Sequence, residues 1–174
     1  MKKIGIIGLG DMGSGIALNL IKNGFKVFGS DLLPARQEAF KEIGGSLETS
    51  ISNIGKKCDA VFVMVMNGSQ AKSIIFDEDG LAKNMVKGST VILSATIKPS
   101  EAEEIGQLIK DTGIKLIDTP VSGGFPGAQS GTLTLMASAP EDVMSKNRDV
   151  LQAISSWPVK HLYFYSSHLL VQRP

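Results

Sequence analysis

Lys3-Ile4-Gly5-Ile6-Ile7-Gly8-Leu9-Gly10-Asp11-Met12-Gly13-Ser14-Gly15-Ile16-Ala17-Leu18-Asn19-Leu20-Ile21 is the stretch on which the fold turns. Ile4 to Ile7 is a short apolar run of the kind that forms a buried strand. Met12, Ile16 and Leu20, with Ala17 and Ile21, then recur at helical spacing, and Asn23-Gly24 supplies a C-terminal stop. Between strand and helix stand Gly8, Gly10 and Gly13 in the order G-x-G-x-x-G. Each glycine has a physical role in that context. Gly8 permits a tight turn, Gly10 lets the backbone approach a pyrophosphate, and Gly13 lets the helix pack close to the strand. The N–H groups at the helix start, reinforced by its dipole, then face phosphates. Gly8, Leu9, Gly10, Asp11, Met12 and Gly13 are therefore the candidate dinucleotide-binding loop.

Beyond the loop, Lys26 to Ser30 reads as a second strand and Asp31 closes it, 18 residues after Gly13. A carboxylate there can accept hydrogen bonds from adenosine ribose hydroxyls and would repel a 2′-phosphate, so it favours NAD over NADP. Arg36 allows NADP, because a nearby arginine can pair with that phosphate. Asp31 can equally be a turn or cap residue, since Pro34 opens a helix that Gly44-Gly45 closes.

The alternation continues down the chain. A short helical stretch near Ile51 precedes Asp59-Ala60-Val61-Phe62-Val63-Met64-Val65-Met66, a continuous apolar run suited to a strand buried on both faces. Ser69 to Phe76 is predicted helical and Thr90 to Leu93 extended. Pro99 to Thr112 is predicted as a helix with Glu101, Glu103 and Glu104 near its start, where the dipole favours them. A strand over Ile114–Asp118, a glycine-rich loop over Pro120–Gly131, a strand over Thr132–Ala137 and a helix from about Pro140 to Ile154 complete the series. Strand–helix alternation of this kind predicts an α/β fold of the Rossmann type, a doubly wound, mainly parallel sheet with helices on both faces.

Composition fits this reading. The 174 residues are 43% hydrophobic and 20% charged, with a net charge of +1, so no basic field is available for nucleic acid or an anionic membrane surface. No stretch reaches the ~18 apolar residues of a transmembrane helix. The single cysteine, Cys58, reads as a small half-buried hydrophobe, and the lack of a possible internal disulfide suits a cytoplasmic protein.

With these residues in view, the chain resembles the β-hydroxyacid dehydrogenases, a family that includes 3-hydroxyisobutyrate dehydrogenase, tartronate semialdehyde reductase, L-threonate dehydrogenase and, more distantly, 6-phosphogluconate dehydrogenase. Gly8 to Gly13 with Ala17, Asn19-Leu20 and Gly24 resembles the family's N-terminal signature. Met64-Val65-Met66-Asn67 matches its adenosine-side contact, and Ser94-Ala95-Thr96-Ile97 its segment near the nicotinamide ribose. Asp118-Thr119-Pro120-Val121-Ser122-Gly123-Gly124, with Ala128 and Gly131-Thr132-Leu133, resembles its substrate signature. The resemblance implies cofactor contacts from Val65, Met66, Asn67 and Thr96. It also implies that Ser122, Gly123 and Gly124 hold the carboxylate of a small hydroxy acid. Residue chemistry agrees, since Ser-Gly-Gly after a strand end offers a hydroxyl and unobstructed N–H groups, either as an anion-binding nest or as an ordinary flexible loop.

The match covers residues 1 to about 155, the expected dinucleotide-binding domain, and residues 156–174 form an atypical tail. The resemblance places a general acid/base lysine in a G-x-G-x-x-x-K-x-x-N pattern beginning near residue 165. The chain there reads Tyr165-Ser166-Ser167-His168-Leu169-Leu170-Val171-Gln172-Arg173-Pro174. No catalytic residue is therefore assigned, and the chain as given is expected to be catalytically incomplete. The tail reads either as an aromatic edge strand, Lys160 to Tyr165, or as a segment foreign to the domain. His161 and His168 lack the spacing of a helical metal pair, so no metal site is expected. Three functional readings follow: the cofactor domain of a hydroxyacid dehydrogenase, a non-catalytic NAD(H)-binding module, or a Rossmann domain for another ligand such as S-adenosylmethionine. Without the family's helical domain, an exposed apolar face is expected to drive self-association.

Overall fold

A computed structural model describes residues 1–156. The edge strand expected over Lys160 to Tyr165, and His161 and His168, lie outside the described residues. The chain runs β1 (Lys3–Ile7), α1 (Asp11–Lys22), β2 (Lys26–Ser30), α2 (Pro34–Glu42), β3 (Ser46–Leu47), α3 (Ile51–Lys57), β4 (Ala60–Val63), α4 (Gly68–Phe76), α5 (Leu81–Asn84) and β5 (Thr90–Leu93). It continues through α6 (Pro99–Ile109), β6 (Lys115–Asp118), β7 (Val121–Ser122), α7 (Gly124–Ser130), β8 (Thr134–Leu135), α8 (Glu141–Lys146) and α9 (Arg148–Gln152). Six strands form one parallel sheet in the order β3-β2-β1-β4-β5-β6. This is the doubly wound order, and its reversal between β1 and β4 opens a crevice at the carboxyl ends of the strands.

Both faces of the sheet are covered. Successive strand residues point to opposite sides. Ile4, Ile6, Phe62, Ile92 and Ile117 pack with Ile16, Ala17 and Leu20 of α1, Ala128 of α7, and Val150 and Leu151 of α9. Ile7, Val61, Val63, Val91 and Leu93 pack on the other side with Ile54, Ala71, Ile75 and Ile105. Burial on both sides is why β4 carries a continuous apolar sequence. Among the described residues no helix is long and apolar enough to cross a membrane, and no group of three His, Cys, Asp or Glu could hold a metal ion. Cys58 is buried at the end of α3, and burial pushes its thiol up to about 12, so it stays protonated and inert.

Several expected boundaries move. The apolar run from Asp59 to Met66 leaves the sheet after Val63, and Met66 is exposed. The helix expected to reach Thr112 ends as an α-helix at Ile109 and tightens into a 3₁₀ turn over Lys110–Thr112. The glycine-rich stretch expected as a loop holds β7 and α7, and the strand expected over Thr132–Ala137 shrinks to β8, antiparallel to β7. The helix expected from Pro140 to Ile154 breaks at Asn147. The buried Asn147 amide donates to the Thr90 hydroxyl at 3.1 Å and to the Val143 carbonyl at 2.8 Å, and its backbone leaves helical geometry. Neither β3 nor α5 was anticipated from the sequence.

Candidate functional site

Strand register brings the candidate segments to one edge. Ile7 lies beside Ser30 and Val63, Val63 beside Leu93, and Leu93 beside Asp118. The turns that follow, residues 8–13, 31–33, 64–67, 94–98 and 119–124, therefore all leave from the carboxyl ends of neighbouring strands.

The glycine loop is shaped by contact. Gly8 has φ +96°, and a Cβ there would lie 2.1 Å from the Met64 carbonyl oxygen. A Cβ on Gly13 would lie 1.9 Å from the Gly8 carbonyl oxygen. At Gly10 the nearest atoms to a Cβ are those of the Arg36 guanidinium, 3.6 Å away in ordinary van der Waals contact, so a cation sits against the loop's outer side. Gly10 caps α1 without a side chain, and the first intrahelical bond runs from the Ser14 N–H to the Gly10 carbonyl at 2.8 Å. The N–H groups of Asp11, Met12 and Gly13 thus end the helix without a side-chain acceptor. A bare helix start with an arginine at hand fits a pyrophosphate. Leu9 differs: its side chain is buried and its N–H is committed to Asp31.

Asp31 is held tightly. Its Oδ2 accepts from the Leu9 N–H at 2.7 Å, its Oδ1 from the Leu33 N–H at 2.9 Å, and its side chain is 6% exposed. Arg36 approaches Oδ2 at 3.5 Å from a half-exposed position. The carboxylate is a turn residue, as one of its two sequence readings had it, and it also stands beside the glycine loop. Oδ1 keeps a lone pair for a further donor, whereas Oδ2 already accepts from both the Leu9 N–H and Arg36. Leu32 and Leu33 beside it are exposed and received no role from the sequence; nothing in their type distinguishes them from core residues.

Opposite, Asn67 caps α4: its Oδ1 accepts from the Gln70 N–H at 2.9 Å, while Gln70 Oε1 accepts from the Met66 N–H at 3.0 Å. Val65 turns back into the core, whereas Met66 is exposed. Glu101 ties this turn to the next. Its Oε2 accepts from the Lys98 N–H at 3.0 Å, and its carboxyl carbon lies 2.5 Å from where a Cβ on Gly68 would sit. Thr96 is exposed on the β5–α6 turn. The Ser94 and Thr119 hydroxyls just below are buried without a hydrogen-bond partner among the described residues.

At the far strand, burial raises Asp118 from the ordinary carboxylate range to about 6. Ser122 pairs with Thr134 across the small β7–β8 hairpin. Gly123 (φ +127°) and Gly124 (φ +58°) follow, exposed and in backbone conformations that side chains rarely adopt. Gly123 caps α7 without a side-chain hydrogen bond, so the Gly124 N–H at the helix start has no acceptor within the helix.

Comparison with known proteins adds three findings. The family described as the NAD binding domain of 6-phosphogluconate dehydrogenase matches residues 3–165. An L-threonate dehydrogenase of Cupriavidus necator is 40% identical over 88% of this chain and 52% of its own length. The mitochondrial 3-hydroxyisobutyrate dehydrogenase of Mus musculus is 34% identical over 88% of this chain and 46% of its own length. Among solved structures, a 3-hydroxyisobutyrate dehydrogenase from Salmonella typhimurium superposes with a TM-score of 0.84 at 33% identity, covering 90% of this chain and 54% of that one. The chain spans about half the length of the curated relatives it matches.

Proposed function

The chain belongs to the family of the NAD binding domain of 6-phosphogluconate dehydrogenase, and from that membership we propose that it takes NAD in preference to NADP. We propose also that the whole protein oxidises a small hydroxy acid. The observation that carries the cofactor reading is Asp31, a carboxylate 6% exposed and fixed by two backbone N–H groups beside the glycine loop. Its Oδ1 has a lone pair for one ribose hydroxyl, Oδ2 accepts the other where the half-exposed Arg36 gives way, and its charge opposes a phosphate in their place. The bare N–H groups of residues 11–13 take the pyrophosphate, with the Arg36 guanidinium alongside. Met66, Asn67 and Thr96, with the backbone of Val65, line the route from adenosine to nicotinamide. Bound NAD supplies the hydride acceptor.

The substrate carboxylate sits, in this reading, at Ser122, Gly123 and Gly124. Support comes from the positive φ angles of the two glycines, their exposure, and their position at the same sheet edge as the glycine loop. The relatives named L-threonate dehydrogenase and 3-hydroxyisobutyrate dehydrogenase point to hydroxy acids of that size. Fluorescence titration of this chain with NADH and NADPH tests the cofactor reading. Binding of NADH at least about tenfold tighter is expected from like-charge repulsion at Asp31, and equal or reversed affinity would overturn it. A whole protein without NAD-linked turnover of L-threonate or 3-hydroxyisobutyrate would count against the substrate reading alone.

A further inference from the structure

Asn19 lies on α1, one turn beyond Gly15, and is 7% exposed. Buried amides are common where they serve local backbone, but this one reaches across the fold. Its Nδ2 donates to the Gly15 carbonyl at 2.9 Å within α1, and to the Ala128 and Gln129 carbonyls of α7 at 2.7 and 3.1 Å. Two N–H bonds serve three acceptors, so one is shared. The acceptors on α7 belong to its last turn, whose carbonyls have no partner within the helix. On its other side, Asn19 Oδ1 lies 2.7 Å from where a Cβ on Gly131 would stand, and Gly131 is the left-handed residue (φ +69°) that ends α7.

The backbones are equally close. A Cβ on Gly15 would meet the Ala128 carbonyl carbon at 2.6 Å and its oxygen at 2.8 Å. Helix α1 begins at Gly10–Gly13 and α7 begins directly after Ser122-Gly123. Gly124 is four residues from Ala128, about 6 Å along the helix. Helix α7 is short and its other hydrogen bonds are local: the Gly127 N–H donates to the Gly123 carbonyl at 3.0 Å, and the Thr132 N–H to the Gly127 carbonyl at 2.9 Å. The β7–β8 pairing ties Ser122 to Thr134, and among the described contacts of α7 itself its seat on α1 is the one that reaches the helix carrying the glycine loop.

We propose that Asn19 is a positioning residue, whose amide, with the bare backbone of Gly15, locks α7 onto α1 and so fixes the Ser122–Gly124 segment at a set distance from the glycine loop. Asn19 touches neither ligand, and its effect reaches the segment through α7. The functional weight of this joint rests on the reading of Ser122–Gly124 as the carboxylate site; the mechanical claim does not.

The test is Asn19→Asp in this chain, followed by backbone NMR. The substitution keeps the shape, removes both donors and sets a carboxyl against three carbonyls. Amide exchange at Gly127 and Thr132 is expected to quicken about tenfold or more, while β1, β4 and β5 amides exchange as in wild type and NADH affinity moves less than about twofold. Addition of L-threonate with NADH reads the second half: shifts at the Gly123 and Gly124 amides, with affinity about tenfold weaker in Asn19→Asp. Should Asn19→Asp fail to fold, Gly15→Ala leaves the amide in place, wedges a methyl against Ala128, and is expected to give the same local pattern. Wild-type exchange at Gly127 and Thr132 in the folded variant, or quickening spread evenly through β1, β4 and β5, overturns the proposal. Absence of any L-threonate effect in wild type removes the carboxylate reading alone, because the exchange comparison needs no ligand.

Discussion

Two glycine-rich segments leave the same edge of the sheet, and they use glycine for different reasons. In residues 8–13 the demand is steric: the absent Cβ atoms of Gly8 and Gly13 would sit 2.1 and 1.9 Å from carbonyl oxygens. In residues 122–124 the demand is conformational. Gly123 has φ +127° and Gly124 φ +58°, yet Cβ atoms there would meet nothing closer than 3.4 and 3.8 Å. The first segment is a packed joint, braced by β1, β4 and Asp31. The second is an exposed curve, held by the β7–β8 pairing before it and by α7's seat on α1 after it. Rigidity in one and exposure in the other suit a constant partner and a variable one, respectively.

The largest effect is expected from Gly13→Ala. A methyl 1.9 Å from a carbonyl oxygen forces α1 away from β1. A loss of about 3 kcal/mol or more is expected, with NADH binding lost; chemical denaturation and NADH fluorescence check both. Next comes Asp118→Asn, at the strand end that feeds the second segment. Burial raises this carboxyl from 3.8 to about 6. Between those values the folded chain holds a proton that the unfolded chain has released. The stability Asp118 contributes is therefore full below about pH 4 and lost as pH rises through about 6. Asp118→Asn is expected to match wild type near pH 3.5 and to exceed it by on the order of 2–3 kcal/mol at pH 7, read from urea midpoints at the two pH values. The smallest effect belongs to Gly123→Ala: about 1–2 kcal/mol of backbone strain, with NADH affinity unchanged in titration. A global collapse from Gly123→Ala would erase the distinction between the two segments.

The same contrast explains what could be read from the sequence. The β1–α1–β2 unit was readable because its periodicity, glycine spacing and acid all report one packed geometry. Alternation of apolar runs with helical stretches was enough for the sheet and its class. Helix α7 was hidden because Gly124-Phe125-Pro126-Gly127 carries a loop composition, and the helix is held by α1, through an asparagine 109 positions before the Ala128 carbonyl it serves. The break at Asn147 depends on Thr90 in β5, again a contact that spacing does not encode. β3 is two residues long and exists only through pairing with β2. At the site, glycine and aspartate could be picked out because their types are unusual at strand ends. Asn19 drew notice only within a family signature, and its hold on α7 had no local signal. Met66 and Leu32 read like core residues and lie in the open.

Asp31 has one more consequence, for the way such a protein can change. The carboxylate proposed to face the ribose is also the acceptor that pins the Leu9 N–H and the turn at Leu33. On that proposal, cofactor preference and the shape of the glycine loop are written in the same two oxygen atoms. A lineage that traded this acid for a neutral or basic residue would loosen the loop in the act of admitting a phosphate. Position 36 is not bound in that way: its guanidinium is half exposed and meets Asp31 only at 3.5 Å. Selection for a different cofactor has a low-cost path through Arg36 and a costly one through Asp31.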